Sequence, residues 1–442
     1  MSAAPLSLAL LLLITLVAQA ALTSLRVLIV VSGAALSCLL VTLLGLSTTH
    51  QIMAELPWDV LILLVGLGLL SEIFAASRVF GLLAVYFTRL SHAQPRRLLV
   101  YFAVGMYVIS GLVNNLTALL LVLPILHILL KLLGYPQRYV SWTLGVLLVA
   151  CNLGGAATPI GDFPAILLLS SGRMLFGEYL RHAAPPTLVG LILLLAVVLI
   201  WVRPQRSVER DPLTSRLSVL IMERLYRGVR LDRRRFVPAA LLLTLMLMAW
   251  ILVPAKSGIG ADLICWLGVA CALAFNLTRG ERLLRTRVDI EAVLFLLSLF
   301  VMVAAVRQSG LFTRLAQALI HLPLSPPGQL AMFLIAAGVL TGLFSAGPSM
   351  AGLLEVAHVL SRQLPPHAVY VGLALSVCAG SSLFLTAATS GPMAQALTER
   401  AQLIDSEGRP LRFGFSEFLP VGILSFAIIQ GIALGYGWLF TR

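Results

Sequence analysis

The chain has 442 residues, 60% of them hydrophobic and only 11% charged. A water-soluble domain carries about a quarter charged residues to cover its surface, so this composition excludes an ordinary soluble protein and makes lipid the main solvent. The formal charge of +13 does not point to nucleic acid, because the arginines gather between apolar runs, as orientation in a bilayer requires.

The apolar runs are continuous in Leu, Val, Ile and Ala rather than alternating, which predicts helices. In chain order the first run is 6–22. Ala18-Gln19-Ala20 gives it a small-residue site, but it lacks a basic leader, and a retained first helix is expected. Runs 26–46 and 58–76 follow. Segment 98–131 is too long for one straight crossing: at 1.5 Å per residue it would reach roughly 50 Å, against a hydrocarbon core of about 30 Å. Polar residues and Gly collect at its middle, Ser110 to Thr117, which predicts a re-entrant hairpin with Asn114 and Asn115 at its tip. Segment 140–172 is interrupted by Gly154-Gly155 and by Thr158-Pro159-Ile160-Gly161-Asp162-Phe163-Pro164. Gly and Pro there unwind a helix, which the membrane tolerates only beside protein or a cavity.

Run 185–203 precedes the arginine-rich stretch 204–235, read as a linker that lies in water or on anionic lipid. Runs 236–254, 262–278 and 290–306 come next. Segment 328–361 is a second hairpin centred on Ser345-Ala346-Gly347-Pro348-Ser349, and 367–397 a second broken helix around Gly380-Ser381-Ser382 and Thr386 to Pro392. Run 416–440 closes the sequence. Cys38, Cys151, Cys265, Cys271 and Cys378 all lie in apolar stretches without metal-ligand spacing, and are read as packing residues.

The halves repeat at a shift of about 230 residues, hairpin on hairpin and broken helix on broken helix. Ser77 to Phe80 falls on Ser309 to Phe312. The expected fold is an all-α polytopic membrane protein of two inverted repeats, each of about five transmembrane helices plus one re-entrant hairpin, with a broken helix in each half. The first repeat is 1–203, the linker 204–235 and the second repeat 236–442. Arg96, Arg97, Lys131 and Arg138 flank the first hairpin and place its open end in the cytoplasm. An odd number of crossings then turns the second half upside down, so that its hairpin enters from outside.

Asn114-Asn115-Leu116-Thr117-Ala118, with Leu123-Pro124-Ile125 after it, resembles the first hairpin motif of the ion transporter superfamily. Gly161-Asp162-Phe163-Pro164 resembles its Gly-Asp-Pro-Pro-Asn motif in the following broken helix. That superfamily includes arsenite permeases, D-type sodium/proton antiporters, the melanosomal P protein, citrate permeases and divalent anion/sodium symporters. The sequence departs from it where Asn114 stands in place of a frequent Asp and Ala165 in place of the Asn after Pro164. Ser349 is read as the second hairpin's counterpart. The resemblance implies alternating access and a homodimer.

The residues themselves point the same way. A carboxylate near mid-membrane costs roughly 2.5–3.5 kcal/mol, so Asp162 must be paired, protonated or hydrated, each of which suits ion coupling. Its alternative role is to cap the second half-helix. Asn114, Asn115, Thr117, Thr158 and the backbone at Gly161 offer neutral ligands, with Na⁺ expected at Asn115 and Asp162. Ser345, Ser349, Ser381, Ser382, Thr386 and Thr389 offer the second half's hydroxyls, with helix packing as the alternative. Glu355 and His358, three apart, share a helix face and are read either as a proton relay or as a structural pair. Arg307 is expected to snorkel at a helix end, and His127 to lie at the interface.

The function expected is secondary active transport of a small ion or anion, coupled to H⁺ or Na⁺, in the manner of arsenite permeases and citrate transporters. The alternatives are a Na⁺/H⁺ antiporter, a carboxylate/Na⁺ symporter and, from another class, a membrane-embedded lipid-modifying enzyme. The expectation is not an enzyme: no cofactor, no catalytic residue and no nucleic acid. The expected partners are the lipid bilayer and a small substrate, and the place a bacterial inner (plasma) membrane crossed many times.

Overall fold

A backbone removed from water must satisfy its own N–H and C=O groups, and a helix does so within one segment. The computed structural model describes residues 3–22, 25–208, 212–226, 231–253, 257–275, 290–388 and 390–441, and among them the only strand-like pairing is an isolated bridge between Ile404 and Pro410. Eight described helices are long and apolar enough to cross a membrane.

The first half opens with α1 (Ala3–Ala21), α2 (Arg26–Leu43), the short α3 (Thr49–Ala54), α4 (Trp58–Ala76) and α5 (Val79–Ser91). The hairpin follows as α6 (Pro95–Leu112) and α7 (Asn115–Leu133), broken at Val113 and Asn114. The interrupted helix is α8 (Gln137–Ala157) and α9 (Phe163–Ser170). Next comes α10 (Phe176–Val197), which runs on through a π-turn at Val198–Val202. It begins nine positions before the apolar run at 185, because Pro185 and Pro186 lie inside the helix instead of starting it.

The basic linker is not merely a linker. It holds α11 (Pro212–Leu225), which packs on α5 and α7 through an ion pair of Arg89 with Glu223 at 2.7 Å and the buried side chains of Ser218 and Met222.

The second half comprises α12 (Arg233–Leu252), α13 (Ala261–Ala274), α14 (Ile290–Gln308), α15 (Leu311–Ile320), the hairpin α16 (Pro326–Phe344) and α17 (Ala346–Leu360), the interrupted helix α18 (Pro366–Ser381) and α19 (Ser390–Ala401), and α20 (Phe415–Thr441). The short helices α5 and α15, each just before a hairpin, are matching elements that the apolar runs did not reveal.

The hairpin and the interrupted helix of each half lie side by side and run parallel. In the first half the Tyr139 hydroxyl donates to the Pro95 carbonyl at 2.7 Å near one end, and the Thr158 hydroxyl to the Gly111 carbonyl at 2.7 Å near the other. In the second, Leu334 packs at Gly372 and Leu383 at Gly342. Tyr135, just past α7, donates to the Ala93 carbonyl beside the start of α6 at 2.6 Å, so the first hairpin returns to the end at which it began.

The two halves run in opposite senses. The end of α7 meets the end of α19, where Thr398 Oγ1 and His127 Nε2 lie 3.1 Å apart. The turn after α9 meets the end of α17 at the opposite pole, where Arg173 reaches His358 at 3.2 Å. His127 is buried in that contact rather than interfacial.

Helices α8 and α18 are buried almost all round and form the centre. Glycines set their spacing: a Cβ at Gly154 would overlap the Tyr107 carbonyl, and one at Gly380 the Gly338 carbonyl. Around this centre α2 packs on α14 and α13 on α4. The outward leucines of α2, α12 and α13, among them Leu28, Leu245 and Leu267, are exposed, as a lipid-facing surface requires.

Candidate functional site

The four interruptions meet. In the first half the backbone N–H of Asn115 donates to the Gly161 carbonyl at 3.1 Å, tying hairpin turn to helix break. In the second half Ala346 N–H donates to the Ala387 carbonyl at 3.2 Å. These equivalent bonds place Ala346 opposite Asn115 and Ser345 opposite Asn114. Ser349 is therefore not the counterpart expected. It lies one turn inside α17, buried, with its hydroxyl unpartnered among the described residues.

Asn115 is buried, and its amide is used up within the break. Its Nδ2, with two hydrogens to donate, faces three acceptors: the Gly161 and Cys151 carbonyls, each at 3.2 Å, and Ser110 Oγ. Ser110 donates onward to the Cys151 carbonyl at 2.7 Å. Gly155 faces this amide, where a Cβ would collide with it. Asn114 caps α7, its Oδ1 accepting from Leu116 N–H at 2.8 Å, while its own N–H donates to Ser71 Oγ at 3.3 Å. Ser345 takes the same place with φ 81° and ψ 154° and no side-chain cap.

Asp162 caps α9, accepting from Phe163 N–H at 2.9 Å. The capping role weighed in the sequence is thus present. Among the described residues no cation pairs with Asp162, so the arrangement leaves a carboxylate beside the break without an internal counterion. Helices α7, α9, α17 and α19 all begin at the breaks. Several of their first N–H groups are already bonded, at Asn115, Leu116, Phe163 and Ala346, but their positive dipole ends lie together at the breaks, where an anion would be stabilised.

Thr158 is engaged with the Gly111 carbonyl and Ile160 N–H. Thr117 is half-buried on α7, and Thr386 is exposed in the second break. Thr389 lies outside the described residues. Ser381 and Ser382 belong to a contact the sequence reading missed. Asn152, buried in α8, donates from Nδ2 to the Ser381 carbonyl at 3.3 Å and to Ser382 Oγ at 3.1 Å, while Ser390 Oγ donates to its Oδ1 at 3.4 Å. One amide thus joins the two interrupted helices. A lone Asn in the apolar run of α8 was the available signal, since intramembrane polar groups are costly unless used.

Phe163 extends the site away from Asp162. Its ring lies 6.1 Å from that of Phe300 on α14 and against Gly347 at the start of α17. Beyond it opens a cavity of about 200 Å³ between α9, α14 and α17. Glu355 and His358 line it, but no hydrogen bond links them as a relay. Glu355 pairs with Arg307 at 3.4 Å, and Arg173 donates to His358 Nε2 at 3.2 Å. Arg307, in the last turn of α14, is thus also an ion-pair partner. Their three-residue spacing brings both side chains to one face, where neighbouring helices supply a nearer partner for each. Among the described residues no group of three His, Cys, Asp or Glu side chains is placed to hold a metal ion.

Comparison with known proteins agrees with this architecture. A family model described as "Citrate transporter" matches residues 9–375 and, in a second overlapping match, 217–442. An uncharacterised transporter of Mycobacterium tuberculosis is 27% identical over 394 residues, covering 87% of each chain. The magnetosome protein MamN of Magnetospirillum gryphiswaldense is 27% identical over 402 residues, covering 89% of this chain and 90% of its own. Among solved structures, the YdaH transporter of Alcanivorax borkumensis, described as having an unusual topology, superposes with a TM-score of 0.59 over 88% of this chain and 86% of its own, at 14% identity. That likeness concerns the fold alone.

Proposed function

From the premise that this chain belongs to the citrate transporter family and is a multi-pass membrane transporter, we propose that it is a secondary active carrier of a small anion, a carboxylate first among the candidates, working by alternating access. The observation that carries the reading is the meeting of four interruptions at one place, joined across the halves by Asn152. Interrupted helices at matching positions of two halves mark a midplane site in carriers of this kind. Four helix N-termini there favour an anion, and the family's description favours a carboxylate over arsenite.

Asp162 is the coupling group in this proposal. It gives up or takes a proton, or binds Na⁺, as the site changes face. Asn115 spends its donors on Gly161 and Cys151, so it shapes the break, and Asp162 remains the titratable oxygen there. Hairpins and interrupted helices move together against a scaffold of α2, α4, α13 and α14, as a homodimer in a bacterial inner membrane. The basic segments stand in the cytoplasm, so the cavity near Arg173 opens outward.

Sodium–proton exchange is the second reading, favoured by the absence, among the described residues, of a cation paired with Asp162. Proteoliposomes under imposed pH and Na⁺ gradients separate the two, with citrate, arsenite and Na⁺ fluxes measured in parallel. Uphill citrate accumulation that Asp162→Asn reduces to downhill exchange supports the proposal. Unchanged coupling in that variant removes Asp162 from the mechanism, and Na⁺ flux without citrate flux replaces the proposal with the second reading.

A further inference from the structure

We infer that the cavity between α9, α14 and α17 is a second binding site, for a carboxylate anion, separate from the breaks around Asp162. Leu167, Phe300, Val303, Ala304 and Leu354 supply an apolar wall, and Arg173, Arg307, Ser171, Glu55, Glu355 and His358 the polar positions. An apolar hollow with a few placed polar groups is the usual form of a small-molecule site. At about 200 Å³ this one suits a compact organic anion.

The charges select the class. Glu55 accepts from Gln308 Nε2 at 2.7 Å, and Glu355 faces Arg307 at 3.4 Å. Arg173 is not in an ion pair: among the described residues no carboxylate lies within ion-pair distance of it, although its charge acts on Glu355 from farther off than that of Arg307. A guanidinium only donates, so its contact with His358 at 3.2 Å makes Nε2 the acceptor. The ring proton then sits on Nδ1, which is buried and unpartnered among the described residues. Arg173 spends one donor on a neutral ring and keeps the rest of its fork for a ligand. A planar fork matches a carboxylate in two parallel bonds, while the hydrocarbon body of the anion covers Phe300 and Leu354.

Glu355 is the internal competitor. It holds Arg307 while the cavity is empty, and a bound carboxylate shares or replaces it there. The floor residue Phe300 touches Phe163, the neighbour of Asp162, so an anion held here waits one aromatic contact from the breaks. That role rests on the carrier reading above, whereas the binding itself does not.

The test is equilibrium dialysis of radiolabelled citrate and benzoate against the purified full-length protein. Arg173→Gln is expected to weaken binding about tenfold or more, the loss of a charge-assisted hydrogen bond. Arg173→Lys, which keeps the charge and loses the fork, falls between it and the unchanged protein. Glu355→Gln is expected to tighten binding several-fold by freeing Arg307, an effect of opposite sign to any structural damage. Gly431→Ala, in α20 with nothing within 4 Å of the added methyl group, leaves this binding within about twofold. The inference is overturned if neither probe binds, if the two Arg173 variants bind like the unchanged protein, or if Glu355→Gln weakens binding. Binding in the expected order without any citrate transport would sink the carrier reading and leave this site standing.

Discussion

The N–H of Asn115 and the carbonyl of Gly161 lie 3.1 Å apart, and that bond ties the turn of a hairpin to the break in the helix beside it. The second half repeats it between Ala346 and Ala387, without the side chain that reinforces the first. The first break is accordingly held by an amide of its own hairpin, and the second by Asn152 of the other half, which bonds Ser382 and Ser390. The two halves share a frame but not a chemistry.

Removing that reinforcement has a measurable cost. Asn115→Ala leaves the Gly161 and Cys151 carbonyls without the amide that donates to them. The Gly161 carbonyl keeps the backbone N–H at position 115 and the Cys151 carbonyl keeps the Ser110 hydroxyl, so the loss is that of net hydrogen bonds, about 0.5–1.5 kcal/mol each, and the melting temperature of the purified protein is expected to fall. Thr117→Val, on the half-buried next turn of α7, is the comparison and is expected to change it little. Equal melting of the two variants would contradict the network.

Helix spacing makes a second prediction. Gly154→Ala and Gly380→Ala each drive a Cβ into a carbonyl of the neighbouring helix, that of Tyr107 or Gly338. Backbone cannot rotate away as a side chain can, so each is expected to destabilise by at least the roughly 1–3 kcal/mol typical of overpacking. Gly431→Ala in α20, where nothing lies within 4 Å of the new methyl group, is expected to stabilise by about 0.5–1 kcal/mol through helix propensity. Urea or thermal unfolding in detergent separates the two signs.

Ser345 carries backbone strain. Its φ of 81° with ψ of 154° lies in a region used almost only by glycine, at a cost of about 1–3 kcal/mol for other residues. Ser345→Gly is expected to raise the melting temperature. If the strain also biases the second break between its two faces, the same variant shifts the ratio of inward to outward accessibility, read by labelling a cysteine placed at Thr386. A lowered melting temperature would show that the serine hydroxyl matters more than the backbone.

Outside the spanning helices, Asp405 organises the turn between α19 and α20. It accepts from Glu407 N–H at 2.9 Å, Arg409 N–H at 2.8 Å and Arg409 Nε at 2.9 Å. These bonds, that from the Arg409 backbone first, hold its carboxyl below the ordinary carboxylate range. A depressed value in the folded state means that the contribution is complete above the unfolded value of about 3.9 and fades as pH falls through the folded one. Hydrogen-exchange protection of the Glu407 and Arg409 amides, corrected for intrinsic rate, is therefore expected to persist at neutral pH and to drop below about pH 4. Asp405→Asn is expected to lower it at every pH.

Much of the frame could be read from pattern. Lipid imposes helices and fixes their length, so over-long apolar runs with Gly, Pro and Asn at their centres announced both hairpins and both interrupted helices within a few residues of their observed bounds. Where polar chemistry had to be placed on a partner, pattern failed. Glu355 and His358 share a face as expected, yet each bonds to an arginine from another element. Ser349 resembles a tip residue in sequence and sits one turn inside its helix. The segment holding α11 looked like solvated linker, although its Ser218 and Met222 are buried against the bundle.

Composition and the spacing of helix breakers thus settled that this chain crosses a membrane many times, with two broken elements in each half, because hydrocarbon tolerates exposed backbone nowhere else. Folding in three dimensions settled which groups are consumed and which remain free. Asn115 is spent on Gly161 and Cys151, Asn152 joins the halves, and Asp162 and Arg173 are left without a contact ion pair among the described residues. Those outcomes depend on contacts between helices far apart along the chain, and no periodicity within a single segment encodes the partner that a side chain will meet.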